Sequence, residues 1–304
     1  MRVINKAEFT TARVLVLGMM DGLHLGHRKL VENGRKLSEE TGLPLTVCTF
    51  DRHPLNVLRG QAVPMLTTLQ EKAYALSALG VDEMLVIHFD TEYAERSQEE
   101  FLNDMRESLK PAAVVAGFNY SFGAGGKGTT EDLIRDGEKH GYRVIMVPPV
   151  MDGDTVISST GIRRFLSEGR LAMAAGWLGY DYMISGRVER GKHIGTEMGF
   201  ATANIRPATG KLLPKHGVYA CYAQARGRVF AAVVNIGVQP TCPSGMVTVE
   251  AHLLGEKGDM YGEPVWLTLK QYLREEKHFD SMDALSAQIA EDVRQAERLL
   301  PKRD

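Results

Sequence analysis

The sequence predicts an α/β domain with a parallel sheet over residues 1–182, followed by an antiparallel β-barrel domain with a terminal helix over residues 183–304. The chain has 304 residues, which at roughly 150 residues per domain corresponds to about two domains. Short apolar runs rich in β-branched residues alternate with helical segments in the first part of the chain, as in parallel sheets. In the second part, strand-like runs follow one another without long helical segments, as in antiparallel barrels and sandwiches.

Five strand-like runs define the first domain, and segments with helical spacing separate them. Leu30 and Leu37 repeat at helical spacing after the first run, and Phe101, Met105 and Leu109 do so before the fourth. Strands that alternate with helices form a parallel sheet covered on both faces, which binds ligands beyond the carboxyl ends of its strands. The five runs are residues 13–18, 45–50, 84–89, 112–117 and 142–147.

Further strand-like runs define the second domain, and Gly, Pro, Asp and Lys separate them. After the last run an amphipathic helix is predicted from about Met282, because four later apolar residues repeat at helical spacing. Those four residues are Ile289, Val293, Ala296 and Leu300. The strand-like runs are residues 219–225, 229–237, 247–255 and 265–273.

The composition excludes several classes of function. Lys plus Arg (36) nearly balance Asp plus Glu (38), so the chain lacks the basic field of a nucleic-acid binder or of a protein that docks on acidic membranes. Cys48, Cys221 and Cys242 are too scattered for a disulfide framework, and no run of about 18 apolar residues predicts a membrane span. We therefore expect a cytoplasmic enzyme of small molecules with no nucleic-acid, membrane or obligate protein partner.

The segment GMMDGLHLGH, residues 18–27, follows the first strand and carries the first chemical motif. Gly18 and Gly22 permit a tight turn from strand to helix, and His24 and His27 then share a face of the first helical turn. A helix N-terminus favours phosphate, and two imidazoles there can donate hydrogen bonds to phosphate oxygens as charge builds in a transition state. Two surface histidines are the plainer alternative, and a structural zinc pair is disfavoured because spacing places no third ligand.

This segment resembles the HxGH signature of nucleotidylyltransferases, and more narrowly the GxFDGxHxGH form of the prokaryotic bifunctional riboflavin kinase/FAD synthetases. Met20 stands where that family has Phe, a change that leaves the polar atoms intact. The resemblance implies a Rossmann-like nucleotidylyltransferase fold in which the two histidines act in catalysis. The residues that it implies against the nucleotide in this turn are Gly18, Asp21 and Gly22.

Two later segments of the first domain resemble further elements of the same family. GFNYSFG, residues 117–123, is similar to its Gly-x-(Asn/Asp)-x-x-Phe-Gly element, and ISSTGIR, residues 157–163, is similar to its SSTxIR element. Ser and Thr cap helices well, and an arginine one turn later can reach a triphosphate. An ordinary capped helix is the alternative for the second segment, but its order behind the histidine turn favours nucleotide binding. The residues expected against the nucleotide here are Asn119, Ser158, Ser159, Thr160 and Arg163.

The second domain resembles riboflavin kinases in several ordered segments. GFATANI, NIGVQPT, VEAHLLG and DMYG begin at residues 199, 235, 249 and 259, and YLREEKHFDSMDAL closes the set. The whole resemblance runs from about Val14 to about Leu300 and implies a riboflavin kinase barrel. The residues that it implies for the flavin and kinase site are Gly199, Asn235, Thr241 and Arg274.

Three polar residues of this domain suit phosphoryl transfer. Thr202 and Asn204 are two apart, so their oxygens point to the same side of an extended segment, and such neutral ligands beside nucleotide phosphates suit Mg²⁺. Glu250 lies in a strongly apolar strand, where an unpaired carboxylate is costly. The resemblance implies that it is the general base for the ribityl hydroxyl of the flavin. An outward-facing, solvated glutamate is the alternative.

We therefore predict a bifunctional enzyme. It phosphorylates riboflavin with ATP to give FMN and ADP, and then transfers AMP from a second ATP to FMN to give FAD and pyrophosphate. Ala201 replaces the Pro of the family's PTAN element, and Thr196 lies in a loop that often carries Arg. These departures bear on the strength of the kinase activity rather than on its existence, because the metal ligands and the base are present. The alternatives are a monofunctional FMN adenylyltransferase with a degenerate kinase domain and a non-catalytic flavin-binding regulator. A transferase for another phosphate acceptor would explain the first domain only.

Overall fold

The computed structural model of the protein describes residues 1–7, 9–190, 202–238, 247–256 and 258–301. Contacts divide the chain into two compact units, Met1–Ser159 and Thr160–Asp304. The division of activities at residue 182 stays a prediction, because contacts within a unit do not say which residues serve which reaction. Among the described residues, no helix is both long and apolar enough to cross a bilayer.

The strands of the first unit are β1 (Arg2–Ile4), β2 (Arg13–Leu17), β3 (Leu45–Phe50), β4 (Glu83–Ile87), β5 (Pro111–Gly117), β6 (Ser121–Phe122), β7 (Gly128–Thr129), β8 (Arg143–Val147), β9 (Met151–Asp152) and β10 (Thr155–Val156). Its helices are α1 (Leu25–Thr41), α2 (Pro54–Leu58), α3 (Leu69–Ala78), α4 (Thr91–Glu95), α5 (Gln98–Asp104) and α6 (Thr130–His140), with a π-helical turn at Met105–Leu109 and a 3₁₀ turn at Ala124–Gly126.

Six of these strands form one parallel sheet in the order β1-β4-β3-β2-β5-β8. The sheet confirms the predicted α/β architecture and contains the five predicted strands. From β2 the chain builds the sheet toward β3 and β4, and then continues on the other side with β5 and β8. Ligands bind beyond the carboxyl ends of the strands at such a switch point. The sequence prediction missed β1, because three residues are too few to show a period.

Helix α1 is seated directly on the sheet. Strand β2 is buried along its whole length, and α1 buries Leu30, Val31, Gly34 and Leu37. A Cβ atom at Gly34 would lie 2.5 Å from a methyl group of Val16, so glycine lets the helix and the strand approach closely. The turn that joins β2 to α1 is therefore held between two elements that are packed against each other.

A buried ion pair lies at the opposite, amino-terminal edge of the sheet. Glu83, at the start of β4, pairs with Arg13 at the start of β2 and accepts a hydrogen bond of 2.8 Å from Thr46 Oγ1. Arg2 of β1 pairs with the same carboxylate. The Arg13 guanidinium also stacks over the Phe9 ring, 3.3 Å from its centroid. These contacts tie the first residues of the chain to β4.

The strands of the second unit are β11 (Met183–Glu189), β12 (Ala203–Pro207), β13 (Gly217–Ala225), β14 (Arg228–Val238), β15 (Val247–Leu253) and β16 (Pro264–Arg274). Its helices are α7 (Ser159–Ser167), which begins at the last residue of the first unit, α8 (Leu171–Leu178) and α9 (Met282–Leu299).

The six strands of this unit close into an antiparallel barrel in the order β11-β12-β15-β14-β13-β16. This confirms the predicted barrel and the terminal helix. The prediction missed β11, in which Gly186 interrupts the apolar pattern, and β12, which has only five residues. Helix α9 covers the outside of the barrel, where Ala296 and Leu300 pack with Val218 and Tyr222.

Candidate active sites

The turn between β2 and α1 has an unusual backbone. Met20 and Leu23 have φ angles of 53° and 38°, and Gly22 has 81°. The left-handed region costs an L-residue roughly 1–2 kcal/mol, so the surrounding structure must hold Met20 and Leu23 in place. Both side chains are fully buried, which anchors the turn in the core. The glycine motif predicted a tight turn here, but not that two large residues would share its strain.

Asp21 ties this turn to the segment that precedes α3. Its buried carboxylate accepts hydrogen bonds of 3.1 Å from the backbone amides of Leu66 and Thr67, and the Gly22 amide donates to Thr67 Oγ1 at 3.1 Å. Ser159 Oγ donates to the Asp21 carbonyl oxygen at 2.9 Å, which brings the start of the ISSTGIR segment to the histidine turn. The predicted nucleotide contact of Asp21 stays a prediction, and the carboxylate itself already binds two amides.

The two histidines lie side by side at the start of α1. His24 is the N-cap residue and makes no side-chain capping bond, and His27 follows one turn later. Their rings stack with centroids 3.8 Å apart and an angle of 26° between the planes. Among the described residues, both Nδ1 atoms are buried without a hydrogen-bond partner. A buried polar atom without a partner is costly and is characteristic of functional sites.

Both rings are neutral at pH 7. Burial lowers the pKa of His24 to about 4, against the opposing effect of the Asp21 carboxylate. Burial, and then the charges of His24 and Lys72, lower the pKa of His27 well below its usual range. A neutral imidazole keeps one N–H donor. Because the first turn of α1 holds no acidic residue, the positive end of its dipole and its free amides remain available to an anion.

The other predicted phosphate contacts lie after β5 and around the start of α7. Asn119 follows β5 and is exposed, and its side chain lies beside Gly117. Ser158 and Ser159 precede or begin α7, whereas Thr160 and Arg163 belong to the second unit. Thr160 is exposed and Arg163 is partly buried, one turn into the helix. Their contacts with a nucleotide stay predictions.

A cavity of about 360 Å³ lies at the carboxyl ends of β2, β3 and β4, and Gly18 of the histidine turn lines it. Its volume falls in the lower part of the range for small-molecule sites. Aromatic and apolar residues form much of its wall, and polar residues, among them some from the segment after β1, from α5 and from the π-helical turn, complete it. These residues include Phe50, Tyr93, Phe101 and Tyr120 among the aromatic ones, and Asn5, Lys6, Asp104 and Ser108 among the polar ones.

There is no signal for this cavity in the sequence, because its lining residues come from seven separate segments. Cys48 is one of these lining residues and is buried. Because burial raises the pKa of its thiol to about 12, Cys48 contributes apolar surface rather than a thiolate. Phe50 and Tyr93 meet edge to face with ring centroids 5.7 Å apart. The wall is therefore a packed aromatic surface suited to a flat, conjugated ligand.

In the second unit, three predicted kinase residues stand in one row across the barrel. Asn204 on β12 lies opposite Glu250 on β15, which lies opposite Asn235 on β14. Residues directly opposite each other share a face of the sheet. Their neighbours Ala251 and Val234 are fully buried and point the other way, so the row lies on the outer face of the barrel. All three polar residues are partly buried.

Thr202 lies just before β12, two residues from Asn204, and is also partly buried. Two neutral oxygen donors at this spacing fit Mg²⁺ that is shared with nucleotide phosphates. Among the described residues, no group of three or more His, Cys, Asp and Glu side chains could hold a metal alone. The predicted site residues Gly199 and Thr241, and the substitutions at Ala201 and Thr196, lie outside the described residues.

Arg274 is bound to the terminal helix. Its guanidinium donates to both carboxylate oxygens of Asp292 on α9, at 2.9 Å and 3.2 Å from Nε and 2.7 Å from Nη2. Gln288 donates to the same carboxylate at 3.0 Å. The predicted flavin-site role of Arg274 stays a prediction, and the bond to Asp292 fixes α9 to β16. The helical spacing gave no signal for Asp292, because it lies beside the apolar stripe.

Glu276 is a further residue that the sequence analysis missed at this site. Asn235 Nδ2 donates to its Oε1 at 3.3 Å. Its carboxylate also lies where a side chain at Gly237 would have to stand, since a Cβ there would be 2.1 Å from Glu276 Cδ. The glycine of the NIG motif therefore makes room for Glu276 beside the row of kinase residues.

Comparison with known families matches each part of the chain separately. A family model described as FAD synthetase matches residues 6–161, and one described as riboflavin kinase matches residues 178–300. The bifunctional riboflavin kinase/FMN adenylyltransferase of Listeria monocytogenes is 36% identical over 283 residues, which is 92% of this chain and 90% of that protein. The proteins of the same description from Escherichia coli (strain K12) and Bacillus subtilis are 35% and 33% identical. They cover 92% and 94% of this chain, and 90% and 92% of their own lengths match.

Among solved structures, a crystal structure described as a macrolide-efflux protein from Streptococcus pneumoniae is similar, with a TM-score of 0.87 and 28% identity. The match covers 98% of this chain and 99% of that chain. Both units therefore occur together in a second protein of the same fold.

Proposed function

The chain belongs to the family of bifunctional riboflavin kinase/FMN adenylyltransferases, and we propose from that membership how its two units divide the chemistry. It phosphorylates riboflavin with ATP to give FMN, and it transfers AMP from ATP to FMN to give FAD and pyrophosphate. The observation that supports the division is that the histidine turn and the row of kinase residues stand in separate units. The histidine turn and its cavity lie in Met1–Ser159, and the row of Asn204, Glu250 and Asn235 lies in Thr160–Asp304.

We assign the isoalloxazine ring of FMN to the cavity of the first unit. The ring is flat and aromatic, and Phe50, Tyr93 and Tyr120 offer aromatic surface to it. The polar side chains of Asn5 and Ser108 can bond to its polar edge. Gly18 lines the cavity and begins the histidine turn, so a ligand held there has its phosphate end within reach of α1.

In the adenylyl transfer, a phosphate oxygen of FMN attacks the α-phosphorus of ATP, and the bond from that phosphorus to the bridging oxygen breaks to release pyrophosphate. His24 and His27 donate hydrogen bonds to the phosphates as charge builds, and the free amides of α1 contribute to the same oxygens. Asn119, Ser158, Ser159, Thr160 and Arg163 complete the nucleotide contacts. No covalent enzyme intermediate is needed, because the FMN phosphate is itself the nucleophile.

In the kinase reaction, Glu250 accepts the proton of the ribityl hydroxyl, whose oxygen attacks the γ-phosphorus and displaces ADP. General-base catalysis of this kind contributes about 10²–10⁴-fold. Asn235 lies opposite Glu250, and its hydrogen bond to Glu276 fixes the orientation of the Asn235 side chain beside the base. Thr202 and Asn204 would hold Mg²⁺ together with the ATP phosphates, and the bound ion would supply positive charge that offsets the charge of the triphosphate.

The test is the flavin product profile of the purified full chain with ATP and Mg²⁺. We expect riboflavin to yield FMN and then FAD, and FMN supplied alone to yield FAD. Conversion of FMN while riboflavin stays untouched would identify a monofunctional adenylyltransferase. Flavin binding without any turnover would identify a regulator and overturn the proposal.

We also propose that both reactions take place in the cytoplasm and need no nucleic-acid, membrane or obligate protein partner. Cys48 and Cys221 are free and buried, which suits a reducing compartment. Localisation of a tagged chain by cell fractionation tests this placement.

A further inference from the structure

Lys72 is a fully buried lysine directly behind the histidine turn. Lysine is almost never fully buried unless it is paired. Its Nζ atom donates hydrogen bonds to the Met19 carbonyl oxygen at 2.9 Å and to Thr49 Oγ1 at 2.8 Å. Thr49 in turn donates to the same Met19 carbonyl at 2.7 Å. Two donors from two different elements therefore converge on one backbone oxygen of the turn.

These bonds fix the orientation of one peptide group. In a trans peptide the C=O and N–H point to opposite sides, so holding the Met19 oxygen toward Lys72 directs the Met20 amide the other way. The next residue, Met20, has the left-handed φ of 53°. Rotation of this peptide would release the strain and change the path of the chain toward His24. Lys72 and Thr49 prevent that rotation.

The charge of Lys72 requires a separate explanation. The Thr49 hydroxyl donates a hydrogen bond to the Met19 oxygen, so a neutral donor is sufficient for that contact. A buried ammonium is a costlier donor, because burial penalises its charge. The Asp21 carboxylate accepts hydrogen bonds from Leu66 and Thr67. Burial lowers the pKa of Lys72 to about 8, while the charges of Asp21 and Asp51 act in the opposite direction. The ammonium is thus protonated at pH 7.

We propose that Lys72 is a positioning residue for adenylyl transfer: its ammonium group fixes the Met19 peptide, and with it the turn that carries the histidines, and places a positive charge behind the triphosphate site. The charged and titratable groups that act on it are Asp21 of the turn, Asp51 after β3 and His27 of α1. After burial and the charge of His24, the charge of Lys72 also lowers the pKa of His27, whose neutral ring offers one N–H donor. The inference rests on the adenylyl transfer proposed above.

The main test compares Lys72→Met with Lys36→Met in the full chain. Methionine keeps the length of the side chain but removes the charge and both donors. Lys36 is an exposed lysine of α1 that pairs with Glu32, so its replacement controls for the loss of a charge. We expect K72M to lower kcat for FAD formation by about 10²-fold, the effect typical of losing one stabilising group. KM for FMN stays within about threefold, because Lys72 does not line the cavity. K36M keeps wild-type kcat, and FMN formation is unchanged in both variants.

A second readout separates positioning from a general structural role. Histidine ring titration by NMR is expected to give a higher pKa for His27 in K72M than in the wild type, because one of the charges that lower it is gone. Thr49→Val removes a bond to Met19 but keeps the charge, so it lowers kcat without moving the His27 titration. Wild-type kcat in K72M, or an unchanged His27 titration in a K72M that has lost activity, overturns the proposal.

Should K72M fail to fold, T49V decides the matter, and wild-type kcat in T49V overturns the positioning role. The wild-type chain is assayed beside each variant. If it forms no FAD, the proposed function fails, whereas equal FAD formation by wild type and K72M refutes only the role of Lys72.

Discussion

Folding lowers the pKa of His24 far below that of a histidine in water. Its stacked, buried ring has a pKa of about 4, and its Nδ1 atom has no partner among the described residues. An unfolded histidine titrates near 6.5, so between these two values the unfolded chain binds more protons than the folded one. Stability therefore rises with pH through this window and is lost as the pH falls toward 4.

His24→Gln is expected to reduce this acid sensitivity. The titration of His24 accounts for a loss on the order of 3 kcal/mol across the whole window, and glutamine has no ring to protonate. Urea unfolding followed by circular dichroism at pH 7 and pH 5 measures the difference. H24Q should lose less stability than the wild type between the two values. The exposed His278 provides the control, since H278Q should follow the wild type. Equal losses in wild type and H24Q would contradict the assignment.

The motif predicted that the two histidines share a face of α1, and the structure places them in contact. The spacing of the histidines could not predict their stacking or their low pKa values, because these depend on burial by distant segments. Asp21 and Lys72 illustrate the reason. Their partners lie far along the chain, at Leu66 and Thr67 for Asp21 and at Met19 for Lys72. A local pattern carries no signal for such contacts.

At the level of elements, the terminal helix α9 is fastened to the barrel by more than its apolar face. Ala296 and Leu300 pack on the outer face, and Asp292 binds Arg274 of β16 through both carboxylate oxygens. Both charged side chains are largely buried. The sequence predicted the helix and its apolar stripe from spacing alone, but this buried ion pair depends on the register between α9 and β16.

Asp292→Ala leaves the Arg274 guanidinium without its partner and is expected to destabilise the second unit by about 3–5 kcal/mol. Trp177 and Trp266 both lie in this unit, so urea unfolding followed by tryptophan fluorescence reports on it. The exposed pair of Arg294 and Glu291 on the same helix is the control. R294A should cost less than about 1 kcal/mol, as is usual for surface pairs. Similar losses in both variants would mean that Arg274 does not depend on this bond.

For the whole molecule, we expect a substitution in one site to remove one activity, FMN formation or FAD formation, without removing the other. His27 belongs to the first unit and Glu250 to the second, and each lies among motifs of one reaction only. The pattern of strand-like and helical segments predicted the α/β domain and the antiparallel second domain, the motifs predicted the family and its barrel, and all are confirmed. Pairing between distant segments determined what the motifs could not predict: the strand order, the cavity of the first unit and the row that joins Asn204, Glu250 and Asn235.

His27→Ala should abolish FAD formation from FMN and leave FMN formation near normal. Glu250→Ala should do the reverse, because FMN supplied directly bypasses the kinase step. Separation of riboflavin, FMN and FAD after incubation with ATP and Mg²⁺ measures both activities in one sample. Loss of both activities in a variant that still folds would show that the sites are coupled.

The edge strand β1 can join the sheet only after β4 has formed, because β4 is its neighbour. Its neighbour in the sheet is β4, and 81 positions separate Arg2 from its partner Glu83. During synthesis the first strand therefore emerges long before the strand it pairs with, and contacts of such high sequence separation form slowly. Asn5, Lys6 and Ala7, which follow β1, line the cavity at the carboxyl ends of β2, β3 and β4. Residues 5–7 can therefore take their place in the cavity wall only after β4 has been made.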